Sequence, residues 1–265
     1  MIFYLSDTGN TRWAAEKIAE RTGDELVFIP DLLHNSQGRP AQPLVFNNIA
    51  DGERIGFCFP VHGWRPPKIV REFISRLKAN ARGHYVYALC TAGDDIGETI
   101  DILGSDLQKQ GIHLDAAFTL IMPESYMGLP FFNVDKPEKE KEKKEKAAAD
   151  LKAYMEAIAN RRSEWHLVPG RWPRINSRFL GGFFTRFLLT DKPFHVESRK
   201  CVKCGICADI CPVHNIIGGL GHEPAWKHDG SCLACFACYH HCPHHAIEYG
   251  HVTQGKGQYF FKKRQ

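Results

Sequence analysis

No stretch of this chain is long and apolar enough to cross a bilayer. The most apolar run, Phe179 to Thr190, is about half of what a spanning helix needs, and Arg186 interrupts it. Met1 to Leu5 lack the basic start and long apolar centre of a secretory signal, so secretion is not expected. A dominant charge is also missing: 34 Lys and Arg stand against 30 Asp and Glu, and the formal +4 gives no ground for a nucleic-acid partner. Cysteine is scarce over most of the chain, with only Cys58 and Cys90 before eight that crowd between Cys201 and Cys242. That distribution excludes a disulfide framework spread through a secreted protein. It points to metal and a reducing compartment, hence a cytoplasmic location.

At 265 residues and 43% hydrophobic content, two domains are expected. The first 160 or so alternate short apolar runs with helix-period segments, the pattern of a parallel sheet covered by helices. Strands are expected at Ile2 to Leu5, Leu26 to Ile29, Ile55 to Phe59, Tyr85 to Leu89 and Ala117 to Ile121. Ile69, Val70, Phe73, Ile74 and Leu77 share one face of a helix opened by Pro66 and Pro67, and Ile96, Ile100, Leu103 and Leu107 mark another. Five strands with helical crossovers make a doubly wound α/β fold. The Lys- and Glu-rich run Lys136 to Lys146 reads as the solvated start of a closing helix or as a disordered linker. Residues 163–195 mix aromatics with Arg171, Arg174, Arg178 and Arg186; they form a connector that packs between domains or a docking surface for a membrane or redox partner.

Cys201, Cys204, Cys207 and Cys211 form C-x2-C-x2-C-x3-C before Pro212, and Cys232, Cys235, Cys238 and Cys242 repeat it before Pro243. Three thiolates at this spacing wrap one [4Fe-4S] cluster and the fourth reaches the neighbouring one. One cluster is therefore assigned Cys201, Cys204, Cys207 and Cys242, the other Cys211, Cys232, Cys235 and Cys238. Paired zinc sites use C-x2-C as well, but they leave the third and fourth cysteines and the prolines without a reason. Cys58 and Cys90 read as core thiols. His240, His241, His244 and His245 read as solvent-facing.

After the first strand comes Ser6-Asp7-Thr8-Gly9-Asn10-Thr11 and then a helix, an arrangement in which free amides and hydroxyls converge on phosphate. An ordinary capped turn looks alike. Neither G-x4-G-K-[ST] nor G-x-G-x-x-G is present, which removes support for ATP and NAD. Asp7 repels phosphate unless it points away, with Arg12 available to offset it.

Residues 196–249 resemble a bacterial-type two-cluster ferredoxin, a module that passes single electrons at low potential. Ser6, Thr8, Gly9, Asn10 and Thr11 resemble the FMN-phosphate loop of flavodoxins. That second resemblance implies a flavin ring between Val61-His62-Gly63-Trp64 and Thr91-Ala92-Gly93, with Trp64 stacking on it or anchoring the two domains, and Tyr126 as a secondary contact. Together the halves resemble the fused flavodoxin–ferredoxin proteins called EFR-type ferredoxins. The resemblance implies a flavodoxin-like domain over 1–162, the connector, the cluster domain over 196–249 and a basic tail over 250–265 that folds back or stays in solvent. It implies FMN and two [4Fe-4S] clusters linking redox partner proteins. Two other roles are a flavin-dependent reductase of a small organic acceptor and a redox sensor without turnover.

Overall fold

The computed structural model describes residues 1–33, 44–46, 52–79 and 83–261. In chain order its first half contains β1 (Ile2–Tyr4), α1 (Asn10–Thr22), β2 (Leu26–Phe28), α2 (Ile29–Leu33), β3 (Leu44–Phe46), β4 (Arg54–Pro60), α3 (Lys68–Arg76), β5 (Leu77–Ala79), β6 (Tyr85–Ala92), α4 (Thr99–Gln108), β7 (Ala116–Ile121), α5 (Pro137–Ala159) and β8 (Trp165–His166). The main sheet runs β2-β1-β4-β6-β7-β8 and every pairing in it is parallel. With β3 and β5 set aside as their own pair, the first five of these strands have the 2-1-3-4-5 order of the flavodoxin-like doubly wound fold. The sheet has six strands where five were expected. Trp165–His166 extends the edge from the connector, and a two-residue strand leaves no period for the sequence to display.

Alternation along the strands fills two cores. Phe3, Phe57, Phe59, Ala88 and Cys90 face α3 and α4, whereas Ile2, Cys58, Tyr87 and Leu89 face α1 and α5. Pro67 is the residue before α3, where its missing N–H costs nothing. The charged run belongs to a helix, since α5 begins at Pro137 and buries Ala147, Leu151, Ala157 and Ile158.

The second half begins with π-helical turns Ile175–Leu180 and Phe184–Leu188 joined by α6 (Gly181–Phe183), and continues with β9 (Phe194–Val196), α7 (Ile206–Asp209), β10 (Ile216–Ile217), β11 (Ala225–Trp226), α8 (Ala237–His240) and β12 (Ile247–Tyr249). β9 and β12 pair antiparallel, and so do β10 and β11. Phe194, Trp226, Phe236, Tyr239 and Tyr249 form its core around the cysteines.

The repeated motif makes a repeated backbone. Lys203 and Ala234 (φ 58° and 47°), Gly205 and Phe236 (86° and 60°), and His214 and His245 (both 48°) occupy matching positions, all left-handed. α7 and α8 follow at the same offset. The tail folds back: Phe261 N–H donates to Thr8 O at 2.7 Å, and its ring stacks on Trp13 at 5.0 Å. Lys262 to Gln265 lie outside the described residues.

Candidate functional site

The chain leaves β1 and enters α1 through Gly9, whose φ of 92° is a conformation that side chains resist. Arg12 N–H donates to Ser6 Oγ at 3.2 Å, and the hydroxyls of Thr11 and Thr91 meet at 2.8 Å, tying the first loop to the end of β6. Asn10 donates to Pro123 O at 3.3 Å and accepts the Tyr259 hydroxyl at 2.6 Å. Asp7 takes His62 Nε2 as its partner at 2.7 Å, while Arg12 pairs with Glu16 at 2.7 Å.

These loops close on a cavity of about 290 Å³ at the carboxyl ends of the strands, the usual ligand position in an open α/β sheet. Ser6, Thr8, Asn10, Thr11, Val61, His62, Gly63, Trp64, Thr91, Ala92 and Gly93 all line it, as does Tyr126. Gly9 does not; it borders a second cleft on the other side of the loop. Gly93 has its own reason, since a Cβ there would lie 2.3 Å from a Glu124 carboxylate oxygen. Burial pushes the Glu124 carboxyl up, and the N–H groups of Tyr126 and Ser125 partly offset the rise. Among the described residues, Asp7 Oδ1, His62 Nδ1 and Asp95 Oδ1 are buried without a hydrogen-bond partner, and all three residues belong to this wall. A polar ligand here would meet groups that the protein leaves unsatisfied.

Sequence reasoning missed part of the wall. Phe184 and Leu189 come from the connector, and Leu233, Ala234 and Cys235 from the second cysteine motif. Their positions follow from how the two halves dock, which no local pattern encodes. Phe184 and Phe236 both meet the Tyr126 ring edge-on, at 5.1 and 5.4 Å.

The cysteines gather across motifs. Cys201, Cys204, Cys207 and Cys242 line one cavity, and Cys211, Cys232, Cys235 and Cys238 another. Asn215 N–H donates to Cys211 Sγ at 3.3 Å and Ala246 N–H to Cys242 Sγ at 3.2 Å, at matching places in the repeat. Ala234 N–H donates to Cys232 Sγ at 3.3 Å. Among the described residues no three His, Cys, Asp or Glu side chains are drawn onto a single ion. Burial pushes the Cys207 thiol up to about 11 and Cys232 up to about 12, and holds Cys235 and Cys238 well above the ordinary value. Sulfurs around a cavity with amides aimed at them fit an iron–sulfur cluster, whose binding would replace the thiol protons.

Cys235 stands in both walls, that of the strand-end cavity and that of the second cysteine set. His240 and His241 are not solvent-facing. His240 is buried, accepts Tyr259 N–H at 3.1 Å, and so donates from Nε2 to Ser125 O at 2.7 Å. His241 stacks on Phe260 at 4.2 Å. Cys58 and Cys90 are fully buried, and burial pushes both thiols up, Cys90 to about 12.

The family model for the 4Fe-4S dicluster domain matches residues 193–247. No curated protein matches the chain. Among solved structures, a candidate flavoprotein from Bacteroides uniformis is 22% identical over 45% of this chain and 88% of its own, with a TM-score of 0.34. The flavodoxin of Streptococcus pneumoniae is 16% identical over 58% and 97%, at 0.30. The rubredoxin:oxygen oxidoreductase of Desulfovibrio gigas is 19% identical over 59%, at 0.31, and only 36% of its length is covered. At scores this low the fold rests on the strand order itself. The dicluster match over the second half points to iron–sulfur electron transfer.

Proposed function

We propose that this protein relays electrons between FMN, held at the strand ends, and two [4Fe-4S] clusters, and through them between redox partner proteins of the cytoplasm. In this reading residues 1–162 form the flavin domain, 163–195 the connector, 196–249 the cluster domain and 250–265 a tail that ties them together. The observation that carries it is Cys235, shared by the wall of the strand-end cavity and that of the second cysteine set.

When bound, FMN supplies one- and two-electron chemistry and each cluster one-electron chemistry. The residues do the rest. Ser6, Thr8, Thr11 and the loop amides hold the phosphate. Val61 to Trp64 and Thr91 to Gly93 bound the ring, and Phe184 and Tyr126 exclude water from it. The cavity, about 290 Å³, lies at the small end of ligand sites.

The order of carriers follows from burial. Leu233, beside Cys232, enters the core of the first half, whereas Val202, at the matching place beside Cys201, is exposed, as is Cys204. The cluster on Cys211, Cys232, Cys235 and Cys238 is therefore the inner one, and that on Cys201, Cys204, Cys207 and Cys242 faces the partner.

The test is iron, acid-labile sulfide and flavin per chain on anaerobically purified protein, with spectra before and after dithionite. About eight iron and one FMN, both bleaching, are expected. Full iron with no flavin after added FMN would end the flavin half of the reading, and zinc in place of iron would end the cluster half.

A further inference from the structure

Residues 173–188 form one unbroken helical stretch whose two sides differ in kind. Ser177, Gly181 and Phe184, spaced by four and three, turn inward. Ser177 is fully buried, with its hydroxyl donating to Trp64 O at 2.9 Å and accepting Glu98 N–H at 2.7 Å. Gly181 lies against Gly63 O, and Phe184 lines the strand-end cavity. Trp172, Ile175, Phe179, Phe183 and Phe187, also spaced by three or four, stand outside. Phe179 is 75% exposed, and Phe183 and Phe187 are 56% and 58% exposed. A row of large apolar side chains, four of the five aromatic, left in water marks a surface that something covers.

Charge says what covers it. From Leu167 to Thr190 the chain carries four arginines and no Asp or Glu. Glu98, on a neighbouring element, takes Arg178 at 2.8 Å and lies 3.7 Å from Arg174. Arg171 and Arg186 stand 5.6 Å above the rings of Trp172 and Phe187, which keeps their charge beside the apolar row.

We propose that this helix is a membrane-surface anchor that lies in the headgroup layer of an anionic bilayer. Its apolar row dips toward the acyl boundary and Arg171 and Arg186 sit at phosphate level. It lies on the membrane and does not cross it, because no helix among the described residues is long and apolar enough to span. A second copy of the chain fits this face poorly, since a two-fold contact through it would set arginine against arginine. The inward residue Phe184 closes the strand-end cavity, so anchoring would hold that cavity about one helix diameter, roughly 10–12 Å, from the lipid. The inference does not depend on what the cavity binds.

The experiment is co-sedimentation of the full-length holoprotein with vesicles of phosphatidylcholine alone, or with about a third phosphatidylglycerol. Wild type is expected to sediment with the anionic vesicles at low salt and to be released at high salt. Binding should fall about tenfold or more in the double variant Phe179→Ser, Phe183→Ser, and clearly in Arg171→Gln, Arg186→Gln. Iron content unchanged from wild type shows that both variants have folded. No sedimentation with anionic vesicles, equal binding to both vesicle types, or binding indifferent to both variants would overturn the proposal. So would self-association of wild type that the Phe variant abolishes without vesicle binding, which would give the face to a second copy. An acidic protein that binds this face when vesicles do not would overturn it as well.

Discussion

Gly56 sits inside β4, where glycine weakens a strand, because the Tyr87 ring leans across it: a Cβ at that place would lie 2.5 Å from Tyr87 Cζ. Gly56→Ala is expected to cost about 1–3 kcal/mol through overpacking, read as a lower urea midpoint. Cys204 is exposed and lines the first cysteine cavity, so in Cys204→Ala iron per chain should fall from about eight toward about four. The buried Cys58, replaced by Ala, should leave iron unchanged. If Cys204→Ala kept all its iron, the ligand assignment would be wrong. At this scale the sequence was legible wherever spacing carried chemistry, as in the cysteines. It was not legible for His240, whose surroundings come from Ser125 and Tyr259 and not from neighbours in the chain.

The helix over residues 173–188 and the loop after β4 approach so closely that neither tolerates a side chain. A Cβ on Gly181 would lie 2.2 Å from Gly63 O, and one on Gly63 would lie 2.5 Å from Phe184 Cδ1. Gly181→Ala must push the helix off the loop and open the strand-end cavity. If the cavity holds FMN as proposed, its retention is expected to weaken about tenfold, the size of a modest overpacking penalty, with iron content unchanged. Equilibrium dialysis with FMN and iron analysis on the same samples would check this. The five strands, α3, α4 and α5 were readable from periodicity, since each buries a regular face. The sixth strand was too short to have a period, and the connector's aromatics do not say which of them face inward.

The two halves are joined at several separate places: Cys235 at the cavity, Lys68 donating to Gly230 O, His240 to Ser125, and the tail laid across the first loop. The Tyr259 hydroxyl reaches Asn10 in a fully buried bond of 2.6 Å. Tyr259→Phe would leave Asn10 Oδ1 without that donor, at a cost of about 1–3 kcal/mol. Urea denaturation should show the loss, and FMN affinity should fall with it because Asn10 belongs to the cavity wall. If stability and FMN affinity both stayed at wild-type values, the tail would be an accessory and not a tie.

The sequence by itself determined which cysteines form the repeat and that a hydroxyl-rich turn follows the first strand. These are decided by covalent spacing and side-chain type, so they survive without a fold. Only the tertiary structure decided which motif lies inside. Leu233 and Val202 occupy equivalent places in the repeat, yet one is buried in the first half's core and the other faces water. A repeat encodes a symmetric pair, and docking against a single partner domain breaks that symmetry, because only one of two equivalent surfaces can be covered.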